Sequence, residues 1–308
     1  MKASAPGKII LFGEHAVVYG RPALAVPVTQ VHADVEVTDS DRPGIWINAP
    51  DIDLRSELNS LSSDHPIASV VHNFFFISRI SPFPNLEVKI TSSIPVASGL
   101  GSGAAVTVAL TRALSSHLRY QMPDEEVNAF AYEIEKLHHG TPSGIDNTVV
   151  TYAKPVYFIK GQAIETFTVG KPFTIVIGDT GISAPTKESV GDVRKLWEAN
   201  KARWESVFDQ IGKIAQQARD AIEKEKTKEL GDLMNRNHTL LQEMTVSSPE
   251  LDTLVSAAIK AGALGAKMSG GGRGGNMIAL VEAEASKSVA EALIHAGTKR
   301  VIVTTIEN

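Results

Sequence analysis

Cysteine is absent from this chain of 308 residues, and that absence excludes several kinds of chemistry at once. Without a thiol the chain can form no disulfide, no thiolate metal site and no cysteine nucleophile. Hydrophobic residues make up 43% of the sequence and charged residues 21%, which is an ordinary balance for a globular protein. The length is enough for a sizeable core and predicts about two domains.

The sequence also lacks an excess of basic residues and any long apolar run. Its formal net charge is −5, so it has no electrostatic signature of a nucleic-acid or acidic-membrane partner. The apolar run near the N-terminus extends only from Ile9 to Phe12, too short for a signal-peptide core. No stretch approaches the ~18 apolar residues of a membrane span. We therefore predict a soluble cytoplasmic protein that binds neither nucleic acid nor membranes.

Strand and helix patterns alternate along the chain. Strand-like patterns occur in "HADVEVTD", "LEVKI", "VVTY", "PFTIVIGDTG" and "RVIVTTI". Helical spacing of apolar residues follows a glycine-rich stretch at 99–104 and recurs from Asp124 to a cap at Gly140, from Thr186 to Met244, and from Ser286 to His295. Strands dominate the first part and helices the second, which predicts a domain boundary near Gly170, with domains 1–169 and 170–308.

The segment "SSPELDTLVSAAIKAG" contains start and stop signals for one helix. Ser247 and Glu250 have the spacing of a capping box, and Pro249 suits the first helical turn. Gly262 suits the position just after the last turn. The pattern therefore predicts a helix whose N-terminal cap involves Ser247.

The glycine-rich stretch "GLGSGAA" directly precedes a predicted helix. Such a loop usually holds a phosphate, because glycine lets backbone N–H groups approach an anion that the helix dipole also favours. A Walker loop would need a lysine that is missing here. A dinucleotide fingerprint fits poorly, because "SSIPVAS" separates the preceding strand from Gly99 and the candidate acid, Asp124, opens a helix. Local pattern alone leaves the anion undetermined.

Three motifs in a fixed order bear on this question: "PGKIILFGEHAVVYG", "PVASGLGSGAAV" and "KMSGGGRGGNMIAL". With them the sequence resembles the GHMP kinases, and "HHGTPSGIDNTVV" and "GDTGISAPTKESVGDVR" place it nearest the mevalonate kinase branch. The resemblance extends from Ser4 to about Val281. It implies a two-domain α+β GHMP kinase fold with the active site in the inter-domain cleft and a ferredoxin-like C-terminal domain. It also implies ATP-dependent phosphorylation of mevalonate to 5-phosphomevalonate, with Mg²⁺ as cofactor.

The resemblance assigns the nucleotide and metal sites residue by residue. Glu135 and Ser102 are implied as Mg²⁺ ligands, since a hard cation prefers oxygen. The alternative for Glu135 is a place on an ordinary helix surface. The ATP-binding residues implied by the glycine-rich motif are Pro95, Ser98, Gly99, Leu100, Gly101, Ser102, Gly103 and Ala104.

The resemblance also implies two catalytic residues. Asp146 is the candidate base and Lys8 the candidate cation near the reacting oxygen; locally they could be a turn aspartate and a surface lysine at the start of a strand. An ordinary aspartate (~3.9) and an alcohol (~15.7) differ by roughly 12 pKa units, or ~16 kcal/mol. That gap is about the whole barrier for ~10 turnovers per second, so full deprotonation before attack is disfavoured. We expect the carboxylate to orient the hydroxyl and to take the proton late.

Four residues are candidates for substrate binding: Glu14, His15, Ser143 and Thr186. The resemblance places Glu14 and His15 near the substrate or the nucleotide, with His15 contacting a carboxylate or hydroxyl of mevalonate. A capping role for this pair, and a turn role for the Ser143 hydroxyl, are the alternatives.

Two positions depart from the family pattern. Gly103 stands where the family usually has a serine that helps to hold Mg²⁺, which predicts weaker metal or ATP binding. Arg273 stands where the family more often has glycine; it either reaches a phosphate or substrate carboxylate or points into solvent.

Other functions stay open at this stage. They are phosphomevalonate kinase, mevalonate 3-kinase, a sugar kinase, and a ligand-sensing homologue with weakened catalysis, which Gly103 would favour. A homodimer is also compatible with the sequence.

Overall fold

The computed structural model describes residues 1–95, 98–139 and 142–307. The chain divides into two units, of which the first comprises Met1–Gly7, Val31–Val96 and Gly101–Ala153. The second comprises Lys8–Gln30, Ala97–Leu100 and Lys154–Asn308. Two long strands, β1 (Lys2–Phe12) and β2 (Ala23–Asp39), contribute residues to both units. The family-domain boundary near Gly170 stays a prediction.

In its described part, the first unit contains a sheet and four α-helices. Its further elements are β3 (Ile45–Ala49), β4 (Leu54–Glu57), α1 (Pro66–Ser78), β5 (Leu86–Ser92), α2 (Ser102–His117), α3 (Asp124–His139) and α4 (Ile145–Tyr152). Strand β5 pairs antiparallel with β2, from Ala33 opposite Ser92 to Asp39 opposite Leu86, and parallel with β3. The alternation in "HADVEVTD" therefore buries Val35 and Val37 on one face, as predicted.

The strand predicted for "VVTY" is wrong, because these residues form the end of helix α4. Gly144, at φ +91°, caps the helix, and the Thr148 hydroxyl donates a hydrogen bond to its carbonyl at 2.6 Å. Val149 and Val150 are completely buried. Burial of these β-branched side chains outweighs their mild preference for strands.

The further elements of the second unit are β6 (Val156–Phe158), β7 (Glu165–Thr166), β8 (Phe173–Asp179), α5 (Thr186–Ala199), α6 (Lys201–Glu223), α7 (Thr227–Glu243), α8 (Pro249–Lys260), β9 (Gly265–Ser269), β10 (Asn276–Val281), α9 (Ser286–His295) and β11 (Arg300–Ile306). Four of these strands form an antiparallel sheet with the order β11-β8-β10-β9, whereas β6 pairs with β2 and β7 with β6. Apolar side chains from helices and sheet form one core, which includes Phe208, Leu241, Met268 and Ala279. Strands β9 and β10 are buried along their whole length.

Most helix ends agree with the sequence signals, with one correction. The predicted helices at Asp124 and at Ser286–His295 are confirmed as α3 and α9, whereas Gly140, the expected cap of α3, lies outside the described residues. The cap of α8 is Ser248, whose hydroxyl accepts a hydrogen bond from the Leu251 N–H at 3.4 Å; it is not Ser247. Across the described parts of the chain, no helix is both long and apolar enough to span a membrane.

Candidate active site

The glycine-rich stretch leads into the N-terminus of α2. Gly99 (φ +80°) and Gly101 (φ +75°) adopt left-handed backbone conformations, and Gly101 is the residue at the helix cap. The first turn of α2 contains no acidic residue, so its free N–H groups face no competing carboxylate of their own turn. This geometry suits an anion such as a phosphate.

Glu135 on α3 lies beside the first turn of α2. A Cβ at Gly103 would lie 3.6 Å from the Glu135 Oε1, an ordinary van der Waals separation. No set of at least three acidic or imidazole side chains grouped for a metal occurs among the described residues. A single carboxylate next to a helix N-terminus still fits Mg²⁺, which commonly uses one or two carboxylates together with water and substrate phosphates.

Helix α4 presents Asp146 in its first turn, where the helix dipole favours a carboxylate. The helix is tied to α3 because the Asn147 amide donates to the Asn128 Oδ1 at 2.7 Å. The Ser143 hydroxyl accepts from the Ile145 N–H at 3.3 Å, the turn role considered above. A substrate role for Ser143 stays a prediction.

Lys8 lies inside β1 and is only 5% exposed, so it is not a surface lysine at the start of a strand. Its backbone N–H donates to the carbonyl of Leu100 at 2.9 Å, which joins the strand to the glycine-rich stretch. A buried ammonium is costly unless charges or dipoles compensate it. The catalytic role of Lys8 stays a prediction.

The carboxylate of Glu14 forms a completely buried ion pair with Lys267 of β9. The Lys267 ammonium also donates to the carbonyl of Met268 at 2.6 Å. Burial lowers the pKa of Lys267, and the Glu14 charge opposes that shift. Only Oε1 of Glu14 is engaged; Oε2 is buried with no hydrogen-bond partner among the described residues.

His15 follows Glu14 in a positive-φ conformation (φ 60°), which is unusual for a residue with a Cβ. Burial lowers the pKa of His15 to about 4, so the imidazole is neutral at pH 7. Its Nε2 lies 3.1 Å from the carbonyl of Gly271, which can only accept, so Nε2 bears the proton. Nδ1 is therefore an acceptor, and within the described chain it has no partner.

Thr186, the first residue of α5, lies against the same loop as His15. A Cβ at Gly271 would lie 2.5 Å from the Thr186 hydroxyl oxygen, so glycine is required for this approach. Thr186 and His15 thus both border Gly271, although they are 171 positions apart in sequence (186 − 15).

Solvent was one of the two orientations expected for the Arg273 side chain, and the structure shows that the side chain contacts protein groups instead. Its Nη1 donates to Asp192 on α5 at 2.6 Å, and its Nε donates to the carbonyl of Thr245 at 3.2 Å. The side chain therefore anchors its own loop to protein groups.

Sequence reasoning missed two buried residues of this region, Lys267 and Asn276. The Asn276 amide donates to the carbonyl of Ser98 at 2.5 Å and so supports the glycine-rich stretch next to Gly99. Both residues lie within the third motif, one on each side of its glycine-rich part, and a lysine in a strand of small and apolar residues is itself a signal. A buried ammonium needs an acidic partner, although the sequence does not say which one.

The class of protein follows from this fold and from comparison with known families. Residues 67–154 match the family model "GHMP kinases N terminal domain", and residues 218–299 match "GHMP kinases C terminal". The chain belongs to the GHMP kinases, enzymes that use ATP as co-substrate.

Within that class the chain is similar to mevalonate kinases over nearly its whole length. It is 38% identical to the mevalonate kinase of Pyrococcus abyssi, over 96% of this chain and 92% of the relative. It is 32% identical to that of Saccharolobus solfataricus, over 99% and 96%. The crystal structure of L. major mevalonate kinase in complex with R-mevalonate superposes with a TM-score of 0.88 at 29% identity, covering 100% of this chain and 96% of that one. The predicted family and fold are confirmed.

Proposed function

We propose that this enzyme transfers the terminal phosphoryl group of ATP to the terminal hydroxyl of mevalonate, giving 5-phosphomevalonate. The observation that carries the proposal is the 38% identity to a mevalonate kinase over 96% of the chain. A match of that extent covers far more of the chain than one glycine-rich loop.

In this proposal the N–H groups at the start of α2, together with residues 95 and 98–104, bind the phosphates of ATP. Glu135 and Ser102 would hold Mg²⁺, which when bound neutralises charge on those phosphates. Asp146 orients the substrate hydroxyl and accepts its proton late in the transfer. Lys8 stabilises the negative charge that develops on the transferring group.

Free acceptor atoms support an alcohol as the substrate. Neutral His15 offers Nδ1, and Glu14 offers Oε2; both atoms are buried acceptors. A hydroxyl donates to such atoms, whereas a carboxylate or phosphate would be repelled by them. We therefore assign His15 and Glu14 to hydroxyl groups of mevalonate, with Thr186 and Ser143 as further substrate contacts.

The first test is ADP release by the purified enzyme with ATP and Mg²⁺ on mevalonate, 5-phosphomevalonate, homoserine and galactose. We expect turnover on mevalonate, with the phosphate at the terminal hydroxyl in the NMR spectrum of the product. Turnover on a different substrate, or phosphate at the tertiary hydroxyl, would contradict the substrate assignment. No ADP release with any of the four substrates, while ATP still binds, would favour the ligand-sensing alternative, for which Gly103 is the supporting observation.

Asp146→Ala tests the proposed mechanism. We expect ATP affinity within about 2-fold of the wild type and a turnover lower by about 10²- to 10⁴-fold, the usual contribution of a positioned acid or base. Asp232→Ala, at an exposed position of α7, is the control and should leave turnover unchanged. Normal turnover in Asp146→Ala would remove this residue from the mechanism.

A cytoplasmic location and a homodimer stay predictions. Cell fractionation and sedimentation of the purified enzyme, respectively, would test them.

A further inference from the structure

We infer that Arg273 is a positioning residue, which fixes the loop 270–275 so that the Gly271 carbonyl holds His15 with its Nδ1 directed to the substrate. The inference deepens the proposed function and rests on it for the identity of the substrate. It concerns a residue that departs from the usual glycine of this motif.

The loop 270–275 reads "GGGRGG", so Arg273 is its only residue with a side chain. Glycine loses more backbone entropy on ordering than any other residue, which makes such a loop intrinsically hard to hold in one conformation. Four of its glycines have positive φ: Gly270, Gly272, Gly274 and Gly275. Contacts made by a side chain at the centre of the loop can therefore hold the loop in one conformation.

Arg273 anchors the loop at three points on two neighbouring segments. Its guanidinium bonds to Asp192 of α5 at 2.6 Å and to the carbonyl of Thr245 at 3.2 Å, just after α7. Its backbone N–H donates to the carbonyl of Val246 at 2.8 Å. The residue accepts a positive φ of 57° to make these contacts, a conformation that glycine would adopt without strain.

The anchored loop then acts on the substrate side through Gly271, two residues away. The Gly271 carbonyl accepts from His15 Nε2 at 3.1 Å, which sets the tautomer and the orientation of the ring. Thr186 lies against the same glycine at the start of α5, the helix that also bears Asp192. Movement at Gly271 would thus disturb two proposed substrate contacts, whereas the stretch assigned to ATP is held separately, by Asn276 in the buried strand β10.

The positive charge of Arg273 also favours the neutral form of His15 that the hydrogen bond to Gly271 orients. It adds to the effect of burial in lowering the pKa of His15, and so keeps the imidazole neutral. A neutral ring with its proton on Nε2 is the form that offers Nδ1 as an acceptor.

Two variants test the anchor by different routes. Arg273→Gly removes the side chain at a position where glycine fits the backbone, and Asp192→Asn removes the partner charge without touching the loop. We expect the KM for mevalonate to rise about 5- to 10-fold, because a partly exposed charged hydrogen bond is lost together with loop order. The kcat and the KM for ATP should stay within about 2-fold. A purely structural defect would instead lower the active fraction, and with it kcat.

The control is Lys195→Met, which removes the other partner of Asp192, 2.9 Å away, and leaves the Arg273 contact in place. It should leave every kinetic constant unchanged. The double variant Arg273→Gly/Asp192→Asn should behave like Arg273→Gly alone, because both changes break the same contact. Additive effects, or an unchanged KM for mevalonate in both single variants, would overturn the inference.

Hydrogen exchange of the loop amides gives a readout that needs no substrate. Amides at 270–275 should exchange faster in Arg273→Gly and Asp192→Asn than in the wild type or in Lys195→Met. Unchanged exchange overturns the positioning role even if the enzyme phosphorylates mevalonate. A wild type that is inactive on mevalonate refutes the proposed function instead, so the two failures are read from different measurements.

Discussion

The buried Glu14–Lys267 pair gives a stability prediction that does not depend on the substrate. Both side chains are completely excluded from solvent, and 253 positions separate them in sequence. Lys267→Met leaves the Glu14 carboxylate buried without its counter-charge, and Glu14→Gln leaves the Lys267 ammonium in the same condition. Each single change therefore exposes the cost of burying one charge.

The expected magnitude is large. Removing one partner of a buried ion pair typically costs about 3–5 kcal/mol, because the remaining charge is uncompensated. For a unit of roughly 150–250 residues, each kcal/mol shifts Tm by about 2–4 °C. We therefore expect Tm to fall by about 6–20 °C in Lys267→Met. Glu14→Gln/Lys267→Met should cost at least ~2 kcal/mol less than the sum of the single variants.

The pH dependence of Glu14→Gln has a definite sign. Burial lowers the pKa of Lys267, and the substitution removes the carboxylate that opposes this shift. Lys267 of the folded variant then loses its proton at a lower pH than Lys267 of the unfolded chain does. At pH values between these two pKa values, the unfolded chain binds more protons than the folded protein. Stability relative to the wild type should therefore rise as pH increases from 7 towards the ordinary lysine value of ~10.4.

Thermal unfolding of the ligand-free protein, followed by calorimetry at pH 7, 8 and 9, measures these quantities. The exposed pair of Arg203 with Glu243 provides the control, and Arg203→Met should change Tm by less than about 2 °C. Single variants at Glu14 and Lys267 that each cost less than ~1 kcal/mol, with additive effects, would refute the reasoning. A Glu14→Gln deficit that grows with pH would refute its electrostatic part.

Two further predictions concern glycines. Gly103→Ser should leave Tm within about 2 °C of the wild type, because the new Cβ would lie an ordinary 3.6 Å from Glu135. It should also lower the Mg²⁺ concentration needed for half-maximal turnover. An unchanged Mg²⁺ concentration would show that the serine oxygen adds no ligand. Gly272→Ala should be clearly more destabilising than Gly270→Ala in thermal unfolding. Both positions have positive φ, but only at Gly272 would the new Cβ meet the Val246 carbonyl, at 1.9 Å; equal losses would contradict this assignment.

The sequence alone identified the family and most of the elements, because these depend on local signals. Glycine at positions of positive φ, such as Gly101, marks the stretch before α2 directly in the sequence, and phosphate binding by that stretch stays a prediction. The spacing of apolar residues predicted α3 and α9, and the alternation of apolar and polar residues predicted the strand that contains Val35. Local signals failed to identify the N-terminal cap of α8, because Ser247 and Ser248 both have a hydroxyl that could cap the helix. They also failed at Val149, where burial in α4 outweighed the preference of valine for strands.

Only the tertiary structure decided the partners of the buried polar groups. Glu14 with Lys267, His15 with Gly271, and Arg273 with Asp192 are pairs whose members lie far apart in sequence. Periodicity reports which face of an element is buried, but it does not report what lies opposite that face. The sequence therefore determined the family and its motifs, and the packing of the chain determined which charges and lone pairs each motif residue meets.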